Sequence, residues 1–418
     1  MEADKKWDLA SVASIPLIMT LGNSMLIPVL PAIRTRLGIT SLQVSLLITV
    51  YSAVAILLIP IAGYLSDRYG RKAVIIPSLI AAGLGGLVSG LASWWIDEPY
   101  AMILAGRVLQ GIGAAGAAPI VLPLIGDLFK REKDVSQGLG IVETSNTLGK
   151  VLSPILGSFL ASFLWYLPFL FIPVFCVISI LMVLFLVKSP EKEPGKPVKL
   201  KSFLASVRYI FTEKGRWLYA IFAIGGICMF VIFGTLFYLS DELEAVYGIK
   251  GVLKGVVLAI PLAALCVSSF FTGRKIGQNK ILMKWLTFIG TAVLTGAVFA
   301  CGFLVHSVPW IIALLCISGL GMGLVLPSLD AFITEGIDKK QRGTITSLYS
   351  SMRFIGVAIG PPAVSILLNV SKHAMFYTVS GACLFAAIIA MFAIHPNKGA
   401  LKSDKSKGRK KMRIRIGS

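Results

Sequence analysis

The chain has 418 residues, 56% of them apolar and 14% charged, with a mean hydropathy of +0.83. Soluble domains average roughly 45–50% apolar and about 25% charged residues, and the apolar residues here fall in long blocks separated by short charged breaks. That pattern belongs to a membrane protein. It excludes a secreted disulfide scaffold, a disordered chain and an ordinary cytosolic enzyme.

A hydrocarbon core about 30 Å thick takes roughly 20 helical residues to cross. Blocks of that size predict twelve transmembrane helices, over 10–33, 41–65, 73–95, 100–126, 136–163, 167–187, 217–240, 251–272, 282–305, 309–333, 343–370 and 374–394. The first is too long for a signal peptide and lacks a small-residue cleavage site. The polar stretch Lys188–Arg216 is the one long soluble connection and divides the helices six and six. The expected organisation is an N-terminal half over 1–187, a central loop over 188–216, a C-terminal half over 217–394 and a basic tail over 395–418.

The net charge is +20, which in a soluble protein would suggest nucleic acid. Position decides otherwise. The positive-inside rule counts Lys and Arg in short loops. With both termini cytoplasmic, 32 of them stand inside and five outside: Arg34, Arg36, Lys250, Lys254 and Lys372. Basicity is thus topology, the expected location is the plasma membrane, the expected partners include the lipid bilayer, and nucleic acid is not among them. The six cysteines all lie in apolar blocks without CxxC spacing or neighbouring His, as small buried hydrophobes. No metal or cofactor is expected, and no phosphate-binding loop or hydrolase nucleophile motif appears.

In chain order, the first segment carries Asn23 with Pro28 and Pro31. The second runs into Gly63-Tyr-Leu-Ser-Asp67-Arg68-Tyr-Gly70-Arg71-Lys72, where glycines permit a tight turn and one acid beside three bases can pair across helix ends. The fourth reads Arg107-Val-Leu-Gln110-Gly111-Ile-Gly113. Its Arg107 lies about 10 Å inside the membrane, where a cation is paired, lines a cavity or snorkels outward. The fifth places Glu143, Asn146, Thr147 and Lys150 on one helical stripe, followed by Gly149-x-x-x-Ser153-Pro154-x-x-Gly157-Ser158. The stripe reads as a transport site or as a structural polar seam. Asp127 and Asp330 fall near cytoplasmic helix ends and read as solvated charge. The histidines, His306, His373 and His395, lie in loops or at a helix end, which turns attention to carboxylates as proton carriers, with Glu143 the one placed deep in the membrane.

The halves repeat. Gly149-x-x-x-Ser153-Pro154 recurs as Gly356-x-x-x-Gly360-Pro361 at an offset of 207 residues, and Gly111-Ile-Gly113 recurs as Gly319-Leu-Gly321 at 208. At the first of these offsets Arg353 takes the place of Asn146. Parallel repeats of this kind are a transporter architecture with a midplane site between them.

The loop Gly63–Lys72 makes the chain resemble the major facilitator superfamily, and the resemblance covers all twelve helices. It implies an all-α membrane protein with twelve transmembrane helices as two six-helix repeats, rocking around a central site. It implies that Gly63, Asp67, Arg68, Gly70, Arg71 and Lys72 form a gating loop and that Arg107 takes part in proton coupling; Glu143, Lys150 and Arg353 are, by their placement, the other candidate intramembrane charges. Gly149, Ser153, Pro154 and Gly157 resemble the fifth-helix motif of antiporters, although serines stand at two of its glycines, Ser153 and Ser158. In the second half, Gly273-Arg-Lys-Ile-Gly277 lacks the acid of the gating loop. Asn23, Gln110 and Asn146 are candidate cavity residues.

The reading is a monomeric secondary transporter, not an enzyme, exchanging protons for a small lipophilic molecule or drug. The alternatives are uptake or proton symport of a small polar or anionic solute, which the bases Arg107, Lys150 and Arg353 suit, and a non-transporting receptor or lipid-binding protein.

Overall fold

A computed structural model describes residues 3–129, 132–187, 215–277, 279–337 and 339–394. The expected tail over 395–418 and all but the last two residues of the expected central loop lie outside the described residues, as does His395.

Thirteen α-helices run in order among the described residues: α1 (Ala3–Ser24), α2 (Leu30–Leu37), α3 (Ser41–Tyr69), α4 (Arg71–Trp95), α5 (Tyr100–Leu128), α6 (Glu132–Phe163), α7 (Leu167–Leu186), α8 (Arg216–Ala245), α9 (Gly251–Ile276), α10 (Lys280–Cys301), α11 (Val308–Gly336), α12 (Lys339–Val370) and α13 (Lys372–Ala393). The first transmembrane segment is α1 and α2 together, joined by a 3₁₀ turn over Ile27–Val29. Pro28 and Pro31 remove amide donors there, so the chain cannot continue as one α-helix. Pro154 lies inside α6 without ending it. A Thr40–Gln43 capping box starts α3, while Asn279 and Ser371 cap α10 and α13.

Eleven spans are long and apolar enough to cross a membrane. The twelfth segment, α6, is 32 residues long but carries Glu143, Asn146, Thr147 and Lys150, which lower its hydropathy. The helix least suited to lipid is therefore the one with the polar stripe. Enclosure varies in the same sense: the first span is 89% buried in its most apolar window and α8 78%, against 28% for α7. The exposed face of α7, with Val174, Val177, Leu181 and Phe185, is lipid-facing by composition.

The repeats pack alike. A Cβ at Gly111 of α5 would press on the Tyr51 carbonyl of α3, and one at Gly319 of α11 on the Pro261 carbonyl of α9. Gly113 meets Ser78 of α4 as Gly321 meets Gly290 of α10, and Gly149 meets Leu17 of α1 as Gly356 meets Gly226 of α8. Equivalent small residues thus bring equivalent helices together, as close backbone approach in lipid requires.

Between the halves, α3 lies on α12 and α6 on α9. Thr49 Oγ1 donates to the Ala358 carbonyl at 2.7 Å, and Gly255 of α9 packs on Pro154 and Ser158 of α6. The two ends of the bundle differ. At the end where α7 finishes and α8 begins, termed the linker end, α3, the start of α4, α5 and α12 line a small cleft around Gly63, Pro123 and Ser347. At the far end, one apolar cluster runs from Leu26, Ile27 and Leu30 into Leu236, Leu239 and Leu243 of α8 and closes the halves together.

Candidate functional site

Charged side chains gather in four places, one at each end and two in the spans. The far-end group is built on the last turns of α8. Asp241 pairs with Arg34 of α2 at 2.7 Å, Glu242 with Lys372 of α13 at 2.6 Å and Glu244 with Lys254 of α9 at 2.5 Å. The first of these crosses between the halves, and beside it Ser240 Oγ donates to the Ile27 carbonyl at 3.0 Å.

The linker-end group is the loop Gly63–Lys72. Gly70, at φ 98°, holds a backbone conformation that separates α3 from α4 and that other residues avoid. The turn brings Arg71 to Asp67 at 2.6 Å, to Asp127 of α5 at 3.0 Å and to Ser66 Oγ at 2.7 Å. Asp127, expected as solvated charge at a helix end, is exposed there and also serves as the second acid of this latch. Its partner helix α5 brings it there, which sequence spacing does not reveal. Gly63 faces Ser347 of α12. Arg68 lies over the Tyr69 ring, and Lys72 feels the charge of Asp8.

Within the spans, Arg107 is fully buried, which excludes snorkelling. Its Nε donates to the Leu47 carbonyl at 2.7 Å and its Nη2 to Asn23 Oδ1 at 2.6 Å. Nη1 donates to Gln110 Oε1, and the guanidinium lies 4.4 Å from the centroid of the Tyr51 ring. No carboxylate takes part. Neutral acceptors and a π face compensate the cation. Asn23 and Gln110, candidate cavity residues by sequence, are both buried and bonded to Arg107. Tyr51 and the Leu47 carbonyl were not legible in advance, because a backbone acceptor carries no sequence signature.

The second intramembrane group brings Glu143, Asn146 and Lys150 of α6 together with Asp330 of α11 and Arg353 of α12. Asn146 Oδ1 accepts from Thr20 Oγ1 of α1 at 2.6 Å, and its amide reaches both Glu143 oxygens at 3.4 Å. Thr147 Oγ1 donates to the Glu143 carbonyl at 2.9 Å. Arg353 stands 3.8 Å from Asp330 and over the Tyr349 ring. Lys150 is buried, and its Nζ has no hydrogen-bond partner. The charges of Glu143, Asp330 and Arg353 all act on it. Asp330 corrects the expectation that it is solvated charge at a helix end: six residues before the end of α11, it pairs with Arg353 inside the bundle. It was missed because it lies near the edge of its apolar block, where depth cannot be read.

Below this group the small residues fit α6 against its neighbours. A Cβ at Gly149 would lie 3.1 Å from the Leu17 carbonyl. At Gly157 it would overlap the Met25 carbonyl, so only glycine lets the two backbones meet there. Ser153 Oγ donates to the Lys150 carbonyl at 3.0 Å. The arrangement offers a polar centre with acid and base from each half, a closed far end and a cleft at the linker end. Among the described residues no group of three or more metal-ligating side chains occurs.

Comparison with known proteins agrees with this architecture. The Major Facilitator Superfamily profile matches residues 12–295 and 280–416. The chain is 54% identical over 401 residues to the bacillibactin exporter of Bacillus subtilis (strain 168), covering 96% of this chain and 98% of that one. It is 24% identical over 371 residues to multidrug resistance protein 2 of the same organism, covering 85% and 87%. Among solved structures, the human organic anion transporter MFSD10 superposes with a TM-score of 0.72 at 19% identity, covering 93% of this chain and all of that one. With the profile spanning nearly the whole chain and both repeats present in three dimensions, this multi-pass membrane protein belongs to the Major Facilitator Superfamily and is a secondary transporter of that type rather than an enzyme.

Proposed function

We propose that the chain exports a small molecule across the plasma membrane in exchange for protons, with Glu143 as the proton carrier. The observation that carries this reading is the state of Glu143. Its carboxylate lies in a membrane-spanning stripe, makes no ion pair of 4.0 Å or less among the described residues and is held only by 3.4 Å contacts from the Asn146 amide. With no ion pair fixing its charge in this state, a change in neighbours between two states of the bundle loads and unloads a proton.

Cargo enters at the linker end, the cytoplasmic side in this reading, where the cleft lies, and leaves when the far-end closure opens. The return of the empty carrier brings the proton in. The bacillibactin exporter, at 54% identity, makes bacillibactin the first compound to test. The more distant multidrug resistance protein makes lipophilic drugs the second.

The test uses inside-out vesicles carrying the purified monomer under an imposed pH gradient. The native protein is expected to accumulate cargo uphill while protons move the opposite way. Glu143→Gln is expected to insert, fold and equilibrate cargo, but to lose uphill movement. Co-directional proton and cargo flow marks symport and overturns the reading, as does uphill export by Glu143→Gln.

A further inference from the structure

Lys150 is the least compensated charge in the spans. It sits 18 residues from the start of the 32-residue α6, near the middle of the bundle, and is 6% exposed. Its Nζ donates to no acceptor, and a buried ammonium without one is costly. Its acids are committed or out of reach. Glu143 stands seven residues earlier on the same helix, about 10 Å along the axis, and no ion pair joins the two. Asp330 pairs with Arg353. The groups that act on Lys150 come from both halves: Glu143 of α6, Asp330 of α11, Arg353 of α12 and Cys266 of α9. The ammonium is therefore at the interface that an alternating carrier opens and closes, with three unused donors.

From this we infer that Lys150 is the anchor for an oxyanion on the cargo, and that the substrate class is a small organic acid presenting a carboxylate or ionised hydroxyl. A lipophilic cation meets Lys150 and Arg353 as like charges and is rejected, since like-charge juxtaposition selects as strongly as attraction. The cargo's oxyanion completes the hydrogen bonding that the protein leaves open, as a charge-assisted bond to a buried ammonium. This inference rests on the export reading for its biological sense, but concerns recognition alone.

The test is equilibrium binding to the purified chain in lipid nanodiscs without any gradient, with radiolabelled salicylate and salicylamide as probes. The two share a ring and differ in a carboxylate against a neutral amide. The native protein is expected to prefer salicylate by about tenfold or more. Lys150→Arg is expected to keep that preference and Lys150→Met to abolish it while binding salicylamide as before. Lys150→Met removes an uncompensated charge and orphans no partner, so it is expected to fold. Lys150→Gln is the substitute if it does not. Equal affinity of the native protein for both probes, binding of neither, or an intact preference without the lysine overturns the assignment. Because no proton gradient is applied, failure of the proton-exchange reading leaves this result untouched, and the reverse also holds.

Discussion

Arg107 shows how one side chain can be fixed in hydrocarbon without an acid. Its planar fork reaches three acceptors on three elements, the Leu47 carbonyl of α3, Gln110 of α5 and Asn23 of α1, while its face lies on Tyr51. A lysine has no fork and cannot meet these directions together. Arg107→Lys is therefore expected to leave buried acceptors unpaired and to cost about 1–3 kcal/mol, read as a lower melting temperature in detergent. Ser158 gives the opposite case. Its buried Oγ has no partner, so Ser158→Ala is expected to leave the melting temperature unchanged or raise it. The site's acids and bases on α6 were legible as a stripe because helical spacing alone puts them on one face. Asp330 and Asp127 were not, since their partners come from other helices and neither spacing nor block depth encodes azimuth.

Among the elements, α6 is the bearing of the molecule. One face meets α1 through Gly149 and Gly157, and the other meets α9 of the opposite half at Gly255. Gly157→Leu would drive a side chain into the Met25 carbonyl and is expected to abolish transport or open a leak, measured as passive cargo flux in vesicles. Charge is also partitioned by element. Glu143 and Lys150 share α6, whereas Asp330 and Arg353 belong to α11 and α12, so each half keeps its own acid and base when the halves separate. The α3–α4 latch has a built-in reserve. Arg71 holds both Asp67 and Asp127, whose side chains are 47% and 42% exposed. Each pair is thus worth at most about 1 kcal/mol. Asp67→Asn alone is expected to slow transport mildly, and the double change with Asp127→Asn to slow it by more than the two single effects combined. Additive singles in a double-mutant cycle would mean that the acids do not share Arg71. The helix count, the repeat and the loop motif were all visible in the sequence, because each is a local pattern. The second acid was not, because it is a contact.

At the scale of the whole molecule, the cleft at one end and the apolar closure at the other define one state of a two-state carrier. Arg34 and Asp241 hold that closure across the halves. Arg34→Ala is expected to lengthen the distance between spin labels at Asp97 and Phe303 on the far-end loops, and an unchanged distance distribution would show that the apolar cluster suffices alone. The same ion pairs have an electrical consequence. The far end carries five bases and five acids, the spans three bases and two acids, and the remainder 32 bases and 13 acids. Among the described residues the far end is therefore charge-balanced, and the surplus of bases belongs to the other segments of the sequence. If the cargo is an organic acid and those segments face the linker side, it is drawn toward the linker-side mouth by attraction that salt screens over about 8–10 Å. Cargo capture at the linker side is expected to slow as ionic strength rises, while rebinding from the far side stays insensitive to it. If an anion leaves and a proton returns, each limb of the cycle also moves one charge along an interior-negative voltage, together about 4–5 kcal/mol per 100 mV. The direction of transport is then inscribed in the distribution of charge between the two faces of the protein as much as in the gradient that drives it.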